Sequence, residues 1–382
     1  MTLKELAMQE FGARLGPTDL YFLQCVDDGE SCIFNVEENA KIRAELIFWL
    51  INQKKRIGDD SSVMIQNTEI DGILDLAYMR LDYRIDFQNC KFSHILNISN
   101  AIIYTLSLHD CCLPGLDAHG LHCSQDLVLT KTSFSGYVDL SDVRLGSNLL
   151  ANEMKINIPC DQQTDGVVKE GVTEQGDEEM KRREAYVRKE AASLYGARIE
   201  SSIRFCNVHC NERIRITNAR IDGDLDLYRA CFINDGHHEN GLIATNCSIG
   251  EKLILTYVDA SNPACRIALD YTRTRILQGD KAQSLWPQKS RISLEGLAFE
   301  AFVLQIRADD FRNLIEPAVV MEWLRRNGPI FTDNHGCRLR KVFMRTVTMM
   351  RQDQYWSRRK KSRSKLRNIT FNSKLNQEKY QV

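Results

Sequence analysis

The chain has 382 residues, 43% hydrophobic and 26% charged, which is enough to bury one large core or two ordinary ones. Its 50 basic residues against 51 acidic leave a formal charge of -1, which removes the electrostatic case for a dedicated nucleic-acid binder. No stretch approaches the roughly 20 apolar residues of a membrane span, and the N-terminus lacks the charged-then-apolar plan of a signal peptide. Thirteen cysteines without an export signal predict free thiols in a reducing cytoplasm.

Residues 1–60 read as an N-terminal helical cap. Within them VEENAKIRAELIFWLINQKK places Ile42, Leu46, Trp49 and Leu50 on one helical face, with two glutamates in the first turn. From residue 61 the pattern changes. Triplets with apolar ends and an outward middle residue recur: VMI, TEI, LDL, MRL, IDF, CKF, LNI and onward to VDL and VRL. Their last residues run Ile65, Ile70, Leu76, Leu81, Phe87, Phe92, Ile98, and so on to Leu140 and Leu145, always five or six residues apart. The pattern extends through Ala151 and Ile156, stops, and resumes at Ile199, Phe205, Cys210, Ile216, Ile221, Leu227 and Phe232, then Ala244, Ile249 and Leu255.

A helix needs apolar spacing near 3.6, and longer strands would alternate further before turning. Short extended pieces that turn a corner every five or six residues describe a coil, with the two ends of each triplet inward and the middle outward. Four sides close a circuit of roughly 21 or 22 residues, stacked at about 4.8 Å. The predicted fold is therefore an all-β solenoid, a right-handed quadrilateral β-helix, with its first block at 61–156 and its second at 197–280. Residues 157–196 read as a charged insertion, partly helical through DEEMKRREAYVRKEAAS, whose opposite charges fall three and four apart. Residues 281–330 read as a C-terminal cap with a short helix at AVVMEWLRR around Trp323, and 331–382 as a basic, irregular tail.

The inward small-then-large pairs, such as Ala219/Ile221, Ala230/Phe232 and Cys90/Phe92, resemble those of pentapeptide-repeat proteins. The LDL and IDF triplets depart from that rule, because both inward residues are large. Three further segments, IRAELIFWL, LPGLDAHGL and WP…ISLEGLAF…WL, resemble a family of bacterial β-helical proteins often labelled membrane-associated oxidoreductases. The resemblance implies possible membrane association of intact members. No redox motif here supports the label, so no cofactor is expected.

The four-sided register stacks the outward residues Asp75, Asn97, Asp117 and Asp139 into an acidic column, a candidate interaction surface, with Arg80, His122 and Arg144 on the next face. A solvated surface that keeps a solenoid soluble is the simpler reading of such columns. No P-loop, dinucleotide fingerprint, nucleophile elbow, HExxH or CxxC occurs, and no catalytic residue is named. Cys206-Asn-Val-His-Cys210 resembles a zinc cluster, but the register sends Cys210 inward and His209 outward. Cys90, Cys111, Cys123, Cys210 and Cys247 all fall at inward positions, where small soft side chains pack. Asp222-Gly-Asp224 is a turn rather than a calcium loop. The loop INDGHHENG, with Asp235, His237, His238 and Glu239, is the best metal candidate left, and a polar surface loop is its simpler reading.

These observations favour a non-catalytic scaffold or interaction protein with a macromolecular partner, a protein rather than a nucleic acid. The protein is expected in the cytoplasm, or at the inner membrane in its intact form. The alternatives are a DNA-mimicking pentapeptide-repeat protein acting on a topoisomerase, and the oxidoreductase of the family label. The run from Arg358 to Arg367 would suggest nucleic-acid contact. However, the family places a segment of the form QPWxQxA…GHxxxAR where this chain reads TDNHGCRLRKVFMRTVTMMRQDQYWSRRKK. Codons begun one base early can encode GQPWVQTAESVHENGHDDEARSVLVAKK from Thr332 to about Lys361. A frame shift shortly before Thr332 is therefore expected. Sequencing the gene from codon 320 onward checks it: an open alternate frame encoding QPWVQTA is the expected result, and a closed one makes the basic tail genuine.

Overall fold

The computed structural model describes residues 2–35, 40–57, 62–159, 190–233, 241–259, 265–280 and 291–305. These residues form a parallel β-solenoid of about eight coils behind a short helical cap. One coil can be followed from Leu116–Asp117 on the first face to His122–Cys123 on the second. It continues through Leu127–Val128 on the third and Ser133–Phe134 on the fourth. The chain then returns to the first face at Val138–Asp139, directly over Leu116–Asp117. All strand pairings are parallel, and they gather into one 15-stranded and two eight-stranded sheets. The large sheet joins the second and third faces. Near the ends of the coil, long strands such as Arg80–Gln88, Ile102–His109 and Arg273–Asp280 pass round that corner unbroken.

Burial follows the triplet rule. Every triplet-end residue named above, from Ile65 to Leu255, is buried, and the row of inward side chains forms one continuous apolar cluster. Two corners are built alike. Between the first and second faces, Met79 N–H donates to Leu76 O, Val143 to Leu140 and Thr272 to Leu269. The residue before each donor (Tyr78, Asp142 and Tyr271) has φ of 59°, 55° and 57°, which makes these type II turns. The corner from the third to the fourth face repeats the device at Lys131, Glu153, Asn207 and Arg229. Asparagine tolerates this left-handed backbone, and stacked asparagines also bond to one another: Asn89 Nδ2 donates to Asn67 Oδ1 at 2.9 Å and Asn246 Nδ2 to Asn218 Oδ1 at 2.6 Å.

The cap begins with helix α1 (Leu3–Phe11), closed by a capping box between Thr2 and Glu5, and α2 (Pro17–Asp27) follows. Asp27 accepts the Leu3 and Lys4 amides, tying the end of α2 to the start of α1. Helix α3 (Ala44–Ile57) buries Leu46, Ile47, Leu50 and Ile51, with Trp49 half-buried edge-on to Phe11. The expected helix started too early. Lys41–Arg43 is a strand paired with Glu69–Asp71, so Ile42 enters the core from the sheet.

Two further boundaries differ from the sequence reading. The coil resumes at Ala192–Ser193, which pairs with Val138–Asp139 below and Ile214–Arg215 above, upstream of residue 197. After Leu255 the ladders continue through Arg266–Ala268, Arg291–Ser293 and Ala298–Gln305. Trp323, most of the charged insertion and the basic tail lie outside the described residues.

A core built this way predicts a sharp contrast inside one triplet. Phe134→Ala, at an inward site, is expected to cost about 3–5 kcal/mol. Ser133→Ala beside it should stay within about 0.5 kcal/mol. Urea unfolding of both variants checks this; similar losses would contradict the inward–outward assignment.

Candidate functional site

The acidic column assembles as expected on the first face. Asp75 forms a bridge to Asn97, Asn97 pairs with Asp117, and Asp117 with Asp139. Each of these side chains also has a local task. Asp75 accepts the Ala77 amide, Asn97 the Ser99 amide, Asp117 the His119 amide and Asp139 the Ser141 amide, at 2.8–3.1 Å. Each therefore closes an Asx turn into the next corner. Asp75 is exposed, whereas Asp117 and Asp139 are half-buried. Burial pushes the Asp117 carboxyl above the usual aspartate range; the His119 amide opposes this, and the neighbouring Asp139 and Asp75 charges add to it. Beyond Asp139 the column changes character, continuing as Ser193 and Arg215. There Glu190 lies 2.7 Å from Arg215, and its burial raises its carboxyl although Arg215 and Arg213 oppose the shift.

The second face carries the opposite charge. Arg80, Ile102, His122, Arg144, Arg198, Arg220, Ser248 and Arg273 stack in that order. Arg80 is paired with Asp82 at 3.1 Å and Arg220 with Asp222 at 2.9 Å, two residues on in each case. An open cleft of about 710 Å³ lies against this face, lined by Asp142, Tyr195, Arg198, Glu200, Asn218 and Arg220 among others. The sequence reading found Arg80, His122 and Arg144 but not their continuation across the insertion.

The cysteines behave as packing residues. Cys90, Cys111, Cys123, Cys210 and Cys247 are buried, and several donate to backbone carbonyls, as Cys111 does to Phe87 O at 3.3 Å. Burial pushes the Cys210 thiol up to about 12 and the Cys247 thiol up to about 11, away from the thiolate that metals and electrophiles need. His209 points outward and Cys210 inward, so that cluster does not converge. Among the described residues no group of three metal-ligating side chains is suitably placed. His237 and His238 lie outside the described residues.

One repeated device went unread. At the corner from the second to the third face, side chains accept amides from the next coil. Asp126 takes the Asn148 amide, Asn148 takes Ser202, Ser202 takes Asp224 and Asp224 takes Lys252, at 2.8–3.2 Å. The signal is a small polar residue directly before four third-face triplets, at Asp126, Asn148, Ser202 and Asp224. Asp224 thus serves the coil, and Asp222 pairs with Arg220, in agreement with a turn at Asp222-Gly-Asp224. Among the described residues no helix is long and apolar enough to cross a membrane.

The raised Asp117 value has a testable sign. The folded chain holds this proton more tightly than the unfolded one, so native stability falls as pH rises from the ordinary aspartate value of about 3.9 through the raised value. Asp117→Asn keeps an acceptor for the His119 amide and removes the charge. It is expected to raise the urea midpoint at pH 7, with the gain shrinking toward zero near pH 3.5. A variant less stable than the parent at pH 7 would show that the ionised carboxylate's bond to the His119 amide outweighs its burial and the repulsion of its neighbours.

No family model matches the chain, and no curated protein matches it.

Proposed function

We propose that the protein is a non-catalytic β-helical scaffold, a pentapeptide-repeat-like coil whose outward rows bind another protein. The observation that carries this reading is the parallel register, which is kept from coil to coil along each face and shifts at the corner between the second and third faces, at Leu81/Arg84 and Ile249/Lys252. Each outward side chain repeats at one position coil after coil, held by parallel pairings on both sides. Rows fixed in this way lose little conformational freedom on binding, so most of each contact contributes to affinity. The small-then-large inward pairs support kinship with pentapeptide-repeat proteins: Ala219/Ile221, Ala230/Phe232 and Cys90/Phe92 all pack in the core.

The acidic column favours a second reading, a DNA mimic directed at a topoisomerase. Its extent argues against it. The run spans only Asp75, Asn97, Asp117 and Asp139 before giving way to Ser193 and Arg215, and its carboxylates are engaged in turns.

Photo-crosslinking in producing cells tests the scaffold. With the probe placed in turn at Asp75, His122, Val128 and Lys155, one on each face, adducts of a discrete mass are expected from one or two faces only. Absence of any face-specific adduct would sink the proposal. A supercoiling assay is expected to show no inhibition at large molar excess, and inhibition abolished by Asp75→Lys would put the DNA-mimic reading first.

A further inference from the structure

Wherever arginine stands in the outward rows near an aspartate two residues on, the two pair: Arg80 with Asp82, Arg84 with Asp86 and Arg220 with Asp222. Arg144 breaks this rule, because Gly146 occupies the position where its partner would stand. Arg198 is followed by Glu200, yet neither Arg144 nor Arg198 has an ion-pair partner among the described residues. These two exposed arginines are ladder neighbours, Arg144 over Arg198 and Arg198 over Arg220. Adjacent strands lie about 4.8 Å apart, and like charges directly opposite one another destabilise a sheet. Two guanidinium groups side by side without an ion pair are therefore a cost to the fold that an anion would reduce.

The surroundings add shape and further polar groups. Arg198 and Arg220 line the 710 Å³ cleft together with the Tyr195 ring and the Asn218 amide, and with the carboxylates of Asp142, Glu200 and Asp222, the last paired with Arg220; Arg144 stands on the rung next to Arg198. Arginine forks suit the paired oxygens of a phosphoryl group. Carboxylates beside them would repel a purely anionic polymer, and they accept hydrogen bonds from hydroxyl groups.

We propose that Arg144 and Arg198 form an oxoanion site on the second face for a phosphate monoester with a hydroxyl-rich body, the chemistry of a sugar phosphate. The arginines hold the phosphoryl oxygens, while Asp142 and Glu200 take the hydroxyls. The site is independent of the protein partner proposed above, and its failure would leave that reading intact.

Isothermal titration calorimetry on the full chain tests this, with inorganic phosphate, ribose 5-phosphate and ribose as probes. Ribose 5-phosphate is expected to bind more tightly than inorganic phosphate, and ribose not at all. Loss of a charge-assisted hydrogen-bonded group weakens binding by about tenfold or more. Arg144→Ala and Arg198→Ala should each show that loss, while Arg273→Ala, on a distant rung of the same face, should not. Arg198→Lys keeps the charge without the fork and should fall between them, and circular dichroism establishes that each variant is folded. Absence of binding by both phosphate probes overturns the proposal. So does binding indifferent to Arg198→Lys and Arg198→Ala, or binding by a short single-stranded oligonucleotide alone.

Discussion

The whole molecule depends on parallel backbone hydrogen bonds that lock each coil onto the next in register. Because those bonds run between coils, a residue added anywhere along a face would shift every later partner. The separation between stacked residues stays between 20 and 22 over uninterrupted stretches: 20 at Asn97/Asp117, 21 at Cys112/Ser133, and 22 at Asp126/Asn148 and Ser202/Asp224. It rises to 54 at Asn148/Ser202, 28 at Asp224/Lys252 and 25 at Cys247/Thr272. Each excess falls in sequence at one place, between a fourth-face strand and the next first-face strand: after Ile156 and before Ala192, after Phe232 and before Leu242, after Asp259 and before Arg266.

That corner differs from the other three in how it is built. Two corners have left-handed turn residues in column, and a third is stitched by the Asp126–Asn148–Ser202–Asp224 side chains. The fourth changes from coil to coil: Pro114-Gly115, then Ser135-Gly136-Tyr137, then Asn211-Glu212-Arg213. Its hydrogen bonds are individual solutions, such as Gly72 N–H to Ser93 Oγ or Ile158 N–H to Asn211 Oδ1. A corner held by no repeated device loses none when residues are inserted, and both flanking ladders keep their register. Tolerance of insertion is thus a consequence of turn chemistry.

The same logic separates what the sequence made legible from what it hid. Inward positions were readable because a five- or six-residue period admits only one assignment of triplet ends, and Ile65 through Leu255 are buried accordingly. Ile42 was assigned to a helix because its neighbours carry helical spacing, and only pairing with Ile70 draws it into a sheet. Ala192–Leu194 escaped because small residues after a charged, helix-like run give little strand signal. The arginine column was half visible. Arg80, His122 and Arg144 could be aligned by counting, but counting fails across an excursion of unknown register, so Arg198 and Arg220 could be placed only by the ladder itself.

Neighbouring faces can carry opposite charges because the core contributes more than the columns cost. Two like charges 4 Å apart in water repel by about 1 kcal/mol. Each fully buried Leu, Ile or Phe contributes roughly 1.5–3 kcal/mol, and a coil such as Leu116 to Val138 buries Leu116, Leu121, Leu127, Leu129 and Phe134 at 2% exposure or less. Selection on the outward residues is therefore nearly free of selection on the fold. Half-burial changes that balance at Asp117, where desolvation raises the carboxyl, but exposed Arg144 and Arg198 remain in water. An acidic row that doubles as turn caps is explained by the coil alone. An exposed basic pair that forms no ion pair among the described residues is not, and it is there that the surface departs from what the scaffold requires.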